Sequence, residues 1–226
     1  MTSVKSFDVG GVRFGGPDLF LIAGPCVAES RDLCLRIAET VQGVCGRLGV
    51  GYVFKASFDK ANRTSVTAKR GPGLHEGLAI LSAVKEAFGL PVLTDVHETV
   101  QVPPVADVCD VLQIPAFLCR QTDLVLAAAN TGRAVNVKKG QWLSPWDAEN
   151  IVRKMETTGN GKLMLTERGT GFGYNNLVVD YRGFEVMRGF GWPLVFDATH
   201  SAQLPGGSGT QAGGMRGSIP AMVRAA

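Results

Sequence analysis

The chain has 226 residues, 45% of them hydrophobic, with a formal net charge of +3 and a mean hydropathy of +0.12. This composition is typical of a globular protein with one large core, and the small charge argues against nucleic acid as a partner. No apolar run approaches the roughly 18–20 residues that span a bilayer, and the polar N-terminus lacks the apolar stretch of a signal peptide.

The predicted elements begin with a β-hairpin. The run FDVGGVRFGG alternates apolar and polar residues around Gly10-Gly11, which predicts a hairpin over about residues 5–15 with a primed turn. The next run, LFLIAGP, is continuously apolar, which predicts a strand buried on both faces. Ser30 is a candidate N-cap for a helix whose apolar residues recur at helical spacing from Leu33 to Leu48.

Strands and helices alternate through the rest of the chain. Further strands are predicted at YVFKAS, PVLTDV, DVLQIPAF, AVNVKK, KLMLTER and PLVFDATH. Helices are predicted from Leu74 to Gly89, briefly after Gln121, from about Asp147 and near Ile219, whereas LVVDYRGFEVM is predicted to be looser. No segment resembles a linker, which predicts a single domain over residues 1–226.

The alternation predicts an α/β fold with a parallel sheet. We count seven strands after the hairpin, whereas a (β/α)8 TIM barrel needs about eight. An open doubly wound sheet is the alternative. We favour the barrel because polar residues follow nearly every strand, and only in a barrel do those strand ends converge on one mouth. The eighth βα unit is missing from the 226 residues.

Cations concentrate at the predicted strand ends. Lys55, Lys60 and Arg63 follow the second strand, Lys138 ends the fifth and Arg168 the sixth. Crowded cations cost free energy unless anions match them, so the pattern predicts an anionic ligand with more than one phosphate or carboxylate group. Any one of these side chains could instead lie on the surface or form an internal ion pair.

Other polar side chains follow the same strands. They are Cys26, Asp95, His97, Gln113, Asp197, His200 and Gln203. Cys26 and His200 are good ligands for borderline divalent metals. Two ligands do not complete a site, so a small buried Cys26 and a hydrogen-bonded packing role for His200 remain the alternatives at this point. Five cysteines without a C-x-x-C pair are typical of a reducing, cytoplasmic compartment.

A series of motifs resembles those of the 3-deoxy-D-manno-octulosonate 8-phosphate synthases. In chain order they are IAGPCVAES, KANRTS, RGPGLHEG, TDVHE, LQIPAFLCRQTDL, NVKKGQW, ERGTGFGYNNLVVD and FDATHSAQLPGG. They cover the chain almost from end to end. The sister DAHP synthases share the barrel and the substrate phosphoenolpyruvate (PEP), but they resemble KPRTS where this chain has KANRTS.

The resemblance implies an enzyme that condenses PEP with D-arabinose 5-phosphate, both small-molecule substrates, for lipopolysaccharide biosynthesis. It implies a catalytic group of Lys55, Asp95, His97 and Lys138. It implies a substrate-binding group of Lys60, Asn62, Arg63, Thr64, Gln113, Pro115, Ala116, Phe117, Arg168 and Gln203. Within these, Lys60, Lys138, Arg168 and the segment around Gln113 would hold PEP, and Asn62, Arg63 and Thr64 would hold the sugar phosphate. The family usually has Ser at the position of Thr64, and either hydroxyl can donate to phosphate.

The same resemblance implies a divalent metal ion such as Zn²⁺, Fe²⁺ or Mn²⁺. Members without metal resemble MNVLES where this chain has PCVAES, and KKGQ and QLPGG also resemble the metal-dependent class. Cys26 and His200 match two of the implied ligands, a Cys and a His. The other two, a Glu and an Asp, are expected beyond Ala226, so we expect the natural chain to continue past this residue. The resemblance further implies a cytoplasmic homotetramer.

Two other functions remain open on the sequence. A DAHP-type synthase would use erythrose 4-phosphate in place of arabinose 5-phosphate. A catalytically inactive relative would bind phosphosugars without turning them over.

Overall fold

A β-hairpin opens the chain, as predicted. The computed structural model of the protein describes residues 4–63, 65–208 and 211–226. Strands β1 (Phe7–Val9) and β2 (Val12–Phe14) pair antiparallel. Gly10 and Gly11 join them with φ values of 54° and 81°, the positive angles that a primed turn requires.

Seven parallel strands then form one sheet in strict chain order. They are β3 (Phe20–Ala23), β4 (Gly51–Lys55), β5 (Val92–Asp95), β6 (Val111–Ile114), β7 (Ala134–Lys138), β8 (Leu163–Glu167) and, after the short strands β9 (Thr170–Gly171) and β10 (Leu177–Val178), β11 (Leu194–Phe196). The strand order never reverses, as it would in a doubly wound sheet, so the barrel-type α/β fold is confirmed. Within the described ranges, β3 and β11 are the two edges of the sheet.

Helices connect and follow these strands. They are α1 (Arg31–Leu48), α2 (Leu74–Phe88), α3 (Val102–Val108), α4 (Thr122–Asn130), α5 (Glu149–Glu156), α6 (Arg182–Arg188), α7 (Ala198–Ser201) and α8 (Ile219–Ala225). Ser30 caps α1, accepting a hydrogen bond from the Leu33 amide at 3.3 Å, as predicted. No helix in the described part of the chain is long and apolar enough to cross a membrane.

Two predictions about the elements were wrong, and two further elements were not predicted. Strand β3 is not buried on both faces, because it is an edge strand and most of its residues are partly exposed. The LVVDYRGFEVM segment is not simply loose, since it contains β10 and begins α6. Helix α3 was missed because its sequence carries two prolines, which a helix accepts in its first turn. A hairpin of β12 (Gln203–Ser208) and β13 (Gln211–Gly214) was also not predicted.

The inner face of the sheet is built in levels because side chains alternate along each strand. The lowest level is apolar and packs against the N-terminal hairpin; it consists of Val53, Leu93, Val111, Ala134 and Met164. Two residues further along the same strands stand Lys55, Asp95, Gln113, Asn136 and Thr166. The next level, another two residues along the chain in each case, consists of Ser57, His97, Pro115, Lys138 and Arg168. The apolar hairpin thus closes one end of the sheet, and polar groups gather at the carboxyl ends of the strands.

Candidate active site

A cavity of about 600 Å³ lies at the carboxyl ends of the parallel strands. Among the residues implied by the resemblance, those lining it are Cys26, Lys55, Lys60, Asn62, Arg63, Asp95, His97, Gln113, Pro115, Ala116, Phe117, Lys138, Arg168, His200 and Gln203. Thr64 lies outside the described residues. The strand-end pattern therefore brings together side chains that are up to about 180 positions apart in the chain.

Positive charge dominates this cavity. Its lining includes the cations Lys55, Lys60, Arg63, Lys69, Lys138 and Arg168. The carboxylates at or beside the cavity are Asp59, Asp95 and Asp197, and Asp59 is already bound by Arg70 at 2.8 Å. Cations that outnumber nearby carboxylates in a partly enclosed cleft attract and concentrate anions.

Ser57 and Asp95 organise the lysines that follow β4. The ammonium groups of Lys55 and Lys60 each donate to Ser57 Oγ at 2.9 Å, and they lie 3.6 and 3.9 Å from Asp95 Oδ2. Ser57 in turn donates to the same carboxylate. Burial tends to raise the pKa of Asp95, but the charges of Lys55 and Lys60 hold it far below its ordinary value. Asp95 is therefore ionised and only accepts hydrogen bonds.

The two lysines of this cluster differ in basicity. Burial lowers the pKa of Lys60, and the neighbouring charge of Lys55 lowers it further. Burial also acts against the charged form of Lys55, but attraction to Asp95, Cys26 and Asp197 together outweighs it and the pKa of Lys55 is raised. Of these two lysines, Lys60 has the less compensated charge, which suits it to receive a ligand anion.

Asp197 organises the opposite side of the cavity. It caps α7 through a 3.0 Å hydrogen bond from the His200 amide, accepts a hydrogen bond from Lys138, and lies 2.7 Å from His200 Nδ1. Burial tends to raise the pKa of Asp197, but Lys138 and His200 hold it well below its ordinary value. Because Nδ1 contacts Asp197, Nε2 is the ring nitrogen of His200 that is available to other partners.

Cys26 lies beside His200 on the same side. A hydrogen bond with His200 lowers the pKa of the Cys26 thiol to about 6, burial opposes this shift, and the charges of Lys60 and Lys55 add to it. The backbone at Cys26 has a φ of 53°, an uncommon angle for a residue other than glycine. Near neutral pH the residue carries a thiolate, the form of cysteine that binds metal ions.

These two side chains fit part of a metal site. A thiolate and an imidazole are normal zinc and iron ligands, and an aspartate on the second ring nitrogen is the usual partner of a metal-bound histidine. Among residues 4–63, 65–208 and 211–226, no group of three His, Cys, Asp or Glu side chains is arranged to hold a metal. The described residues thus offer at most two candidate ligands, Cys26 and His200, with Asp197 hydrogen-bonded to the second.

Arg168 has a hydrogen-bond donor without a partner. Its Nη2 donates to Gln203 Oε1 at 3.1 Å, but its Nη1 is buried and bonds to nothing among the described residues. Burial lowers the pKa of the guanidinium, although Asp197 and Glu167 oppose this shift. Buried polar groups are nearly always hydrogen-bonded, so an unpaired donor beside an open cavity indicates a position for a ligand oxygen.

Some residues of the site were missed by sequence reasoning. Lys69 and Gln141 line the cavity from loops, where no periodic pattern marks them. Ser57 could have been found, because it stands two residues after Lys55 and therefore on the same face. Lys139 is fully buried on the other face of the chain and donates to the carbonyl oxygens of Gly140 at 3.2 Å and Leu143 at 3.0 Å.

Comparisons with known proteins agree with this geometry. The family model described as the DAHP synthetase I family matches residues 3–226. The 2-dehydro-3-deoxyphosphooctonate aldolases of Geobacter sp. and Trichlorobacter lovleyi are each 60% identical over 223 residues, covering 98% of this chain and 82% of theirs. The enzyme of the same name from Cyanothece sp. is 58% identical over 211 residues, covering 93% of this chain and 77% of its own.

Proposed function

The chain belongs to the DAHP synthetase I family, and we propose that within it this protein is a 2-dehydro-3-deoxyphosphooctonate aldolase. It condenses PEP, D-arabinose 5-phosphate and water to 3-deoxy-D-manno-octulosonate 8-phosphate and inorganic phosphate. The observation that carries the proposal is the excess of cations over carboxylates in one cavity of a chain 60% identical to enzymes of that name. Both organic substrates are anionic phosphate esters, and such a cavity suits them.

Lys60, Lys138, Arg168 and Gln113 would bind PEP. Support comes from the weakly compensated charge of Lys60 and from the unpaired Nη1 of Arg168. Gln113 lines the same part of the cavity with its neighbours Pro115, Ala116 and Phe117. A guanidinium fork and ammonium point charges together match the carboxylate and phosphate of PEP.

Asn62 and Arg63 would bind the phosphate of the sugar, together with Thr64. Asn62 and Arg63 line the cavity on the loop that follows β4. The Arg63 Nε donates to the Lys69 carbonyl oxygen at 3.3 Å. The remaining guanidinium donors are thus available to a phosphate at the rim of the cavity.

The reaction forms one C–C bond and breaks one C–O bond. C3 of PEP attacks the aldehyde carbon of the sugar, whose oxygen takes a proton, while water adds its oxygen to C2. The resulting hemiketal phosphate releases phosphate with the bridging oxygen and leaves a ketone at C2. Lys55, Asp95 and His97 line the same cavity, and we propose that they act near the reacting carbons, while Lys138 and Arg168 would stabilise the charge on the departing phosphate.

We also propose that Cys26 and His200 bind a divalent metal ion. Support comes from the lowered pKa of the Cys26 thiol and from the Asp197 partner that orients His200. When bound, such an ion would orient or polarise the aldehyde oxygen or position the water. We expect Cys26→Ser to lower metal content measured by elemental analysis of the purified protein, with Cys119→Ser, a buried cysteine that does not line the cavity, as control. Equal metal content in both variants, or full activity of Cys26→Asn in chelator, would contradict the metal site.

A cytoplasmic homotetramer completes the proposal. Support for self-association comes from exposed aromatic side chains. Phe117 stacks on Trp142 with 6.0 Å between the ring centroids, and Trp146 and Phe172 are also exposed. Support for a reducing compartment comes from five free cysteines. Light scattering of the purified protein checks the assembly; a mass of one chain would contradict the tetramer.

The function is tested by parallel assays of phosphate release. PEP is supplied with arabinose 5-phosphate in one assay and with erythrose 4-phosphate in the other. We expect phosphate release to be much faster with the pentose phosphate. A preference for the four-carbon sugar would indicate a DAHP-type synthase. Binding of PEP without phosphate release from either mixture would indicate an inactive phosphosugar-binding protein.

A further inference from the structure

A continuous chain of hydrogen bonds crosses the inner face of the sheet directly beneath the cavity. Thr166 Oγ1 donates to Asn136 Oδ1 at 2.7 Å, and Asn136 Nδ2 donates to Gln113 Oε1 at 2.9 Å. Gln113 Nε2 then donates to Asp95 Oδ1. Each of the strands β8, β7, β6 and β5 contributes one residue. The chain ends on the carboxylate that also holds Lys55 and Lys60.

Two residues of this hydrogen-bonded series do not line the cavity. Gln113 and Asp95 line it, whereas Asn136 and Thr166 do not. Asn136 is 1% exposed and Thr166 is 2% exposed. No part of the catalysis or binding proposed above uses them. A buried amide and a buried hydroxyl are costly unless hydrogen-bonded, and apolar side chains could fill the same space, so their place beneath the site calls for a reason.

The chain can run in only one direction while Asp95 is ionised. An ionised carboxylate accepts but does not donate, so Gln113 must turn its NH₂ group towards Asp95. Its carbonyl oxygen then faces Asn136, which must present its own NH₂ group. The Asn136 oxygen in turn requires a donor, and the Thr166 hydroxyl supplies it. The reversed arrangement would set the Gln113 oxygen against the Asp95 carboxylate, acceptor against acceptor.

We propose that Asn136 and Thr166 are positioning residues for the PEP end of the site. They act through Gln113, whose carboxamide they fix in one orientation, and through Asp95, which receives the last hydrogen bond of the chain. Asp95 and Ser57 in turn fix the ammonium groups of Lys55 and Lys60. The inference rests on the proposed function, because its readout is the use of PEP in that reaction.

The parallel sheet contains a matched pair of threonines for the test. Thr166 and Thr94 are both buried in central strands, and both can be changed to the isosteric valine. Thr166 donates into the hydrogen-bonded chain, whereas the Thr94 hydroxyl has no partner among the described residues. Thr94 alternates with Leu93 and Asp95 and therefore faces the helices.

We expect Thr166→Val to lower kcat/KM for PEP roughly tenfold, the effect of one lost buried hydrogen bond. The loss should appear in KM for PEP and leave KM for arabinose 5-phosphate unchanged within about twofold, because the chain ends among the PEP-side residues. Thr94→Val should leave kcat/KM within about twofold of the unmodified protein. Thr166→Ser keeps the hydroxyl and should recover most of the lost activity. Urea unfolding of each variant shows whether it is folded at the assay temperature.

Three outcomes would overturn the positioning role. The first is an equal loss of kcat/KM in Thr166→Val and Thr94→Val, and the second is a Thr166→Ser variant as impaired as Thr166→Val. The third is an equal change in KM for both substrates. The role of Thr166 would then be packing alone. Failure of the unmodified protein to release phosphate from PEP with either aldose phosphate would instead overturn the proposed function, and the inference with it. The two failures are thus distinguished by the activity of the unmodified protein.

Discussion

The two polar levels on the inner face of the sheet differ in how completely their groups are partnered. In the lower level, the hydroxyl of Thr166 and the amides of Asn136 and Gln113 are all bonded to one another or to Asp95. In the level above, Arg168 keeps a buried donor without a partner. A complete network holds itself in place, whereas an incomplete one indicates where a ligand belongs. The contrast distinguishes Asn136 and Thr166, which only position the site, from Arg168, which we propose to bind a ligand.

The largest effect should come from Lys139, a fully buried lysine that completes its own network. It bonds to the loop that follows β7, donates to Thr170 at 3.3 Å, and lies 3.5 Å from Glu167 Oε2. Lys139→Met leaves that carboxylate and the loop carbonyl groups without their cation. We expect the free energy of unfolding, measured with urea, to fall by about 3–5 kcal/mol.

Lys162→Met is the control for this change, because Lys162 is exposed. It should change the free energy of unfolding by less than about 0.5 kcal/mol. Equal stability of the two variants would show that the buried ion pair does not hold the loops of the mouth.

Arg168 should show the opposite balance between activity and stability. Because its Nη1 has no partner within the described chain, Arg168→Gln removes an interaction that the protein alone does not complete. We expect kcat/KM for PEP to fall by about 100- to 1000-fold, as for a lost donor to a developing anion. The midpoint of urea unfolding should change little.

Arg182→Gln provides the comparison. Arg182 is exposed at the start of α6 and forms an ion pair of 2.8 Å with Asp180, which lies on the preceding loop. Its kcat/KM should stay within about twofold of the unmodified protein. A large loss of stability and a small loss of activity in Arg168→Gln would reverse the assignment of Arg168 to the ligand-binding level.

Asp95 joins the two levels, and its ionisation should appear in the pH dependence of stability. Its pKa in the folded protein lies below the ordinary 3.8, so its contribution is present above that value and is lost as pH falls towards the lower folded pKa. Below about pH 4, the free energy of unfolding should therefore fall less steeply in Asp95→Asn than in the unmodified protein. The difference in slope is at most about 1.4 kcal/mol per pH unit, the value for one proton. Parallel slopes in urea titrations from pH 5 to about pH 3 would argue against an ionised Asp95.

The smallest effect should come from Ser30, which lies outside both levels. Ser30→Ala removes the N-cap of α1 and should lower the free energy of unfolding by about 1 kcal/mol. Ser30→Asp keeps a capping oxygen and should restore most of it. Neither change should alter kcat/KM by more than about twofold, so a larger change would show that activity responds to stability in general.

The sequence alone predicted the parallel sheet and the cationic mouth because both depend on patterns within single strands. Lys138 and Arg168 each follow an apolar run, and the ends of parallel strands converge in a barrel. The pattern of each strand was therefore enough to predict that both side chains line one cavity. The elements that were missed lack such a pattern. Helix α3 begins with prolines, and β12 follows a four-residue helix.

The lower polar level could not be predicted in the same way. Asn136 interrupts an apolar run and Thr166 ends one, and each alone is an ordinary polar residue in a strand. Their significance lies in hydrogen bonds between neighbouring strands, 23 positions apart for Asn136 and Gln113 and 30 apart for Thr166 and Asn136. Such pairings depend on the register of the sheet, which the period of a single strand does not specify.

The most direct test of the account follows the bridging oxygen of PEP. PEP labelled with ¹⁸O between C2 and phosphorus is incubated with the protein and arabinose 5-phosphate, and the products are analysed by mass spectrometry. If the cations of the upper level assist the departure of phosphate by C–O cleavage, the label appears in inorganic phosphate and the eight-carbon sugar is unlabelled. Label retained in the sugar would contradict the mechanism, and absence of an eight-carbon product would contradict the function.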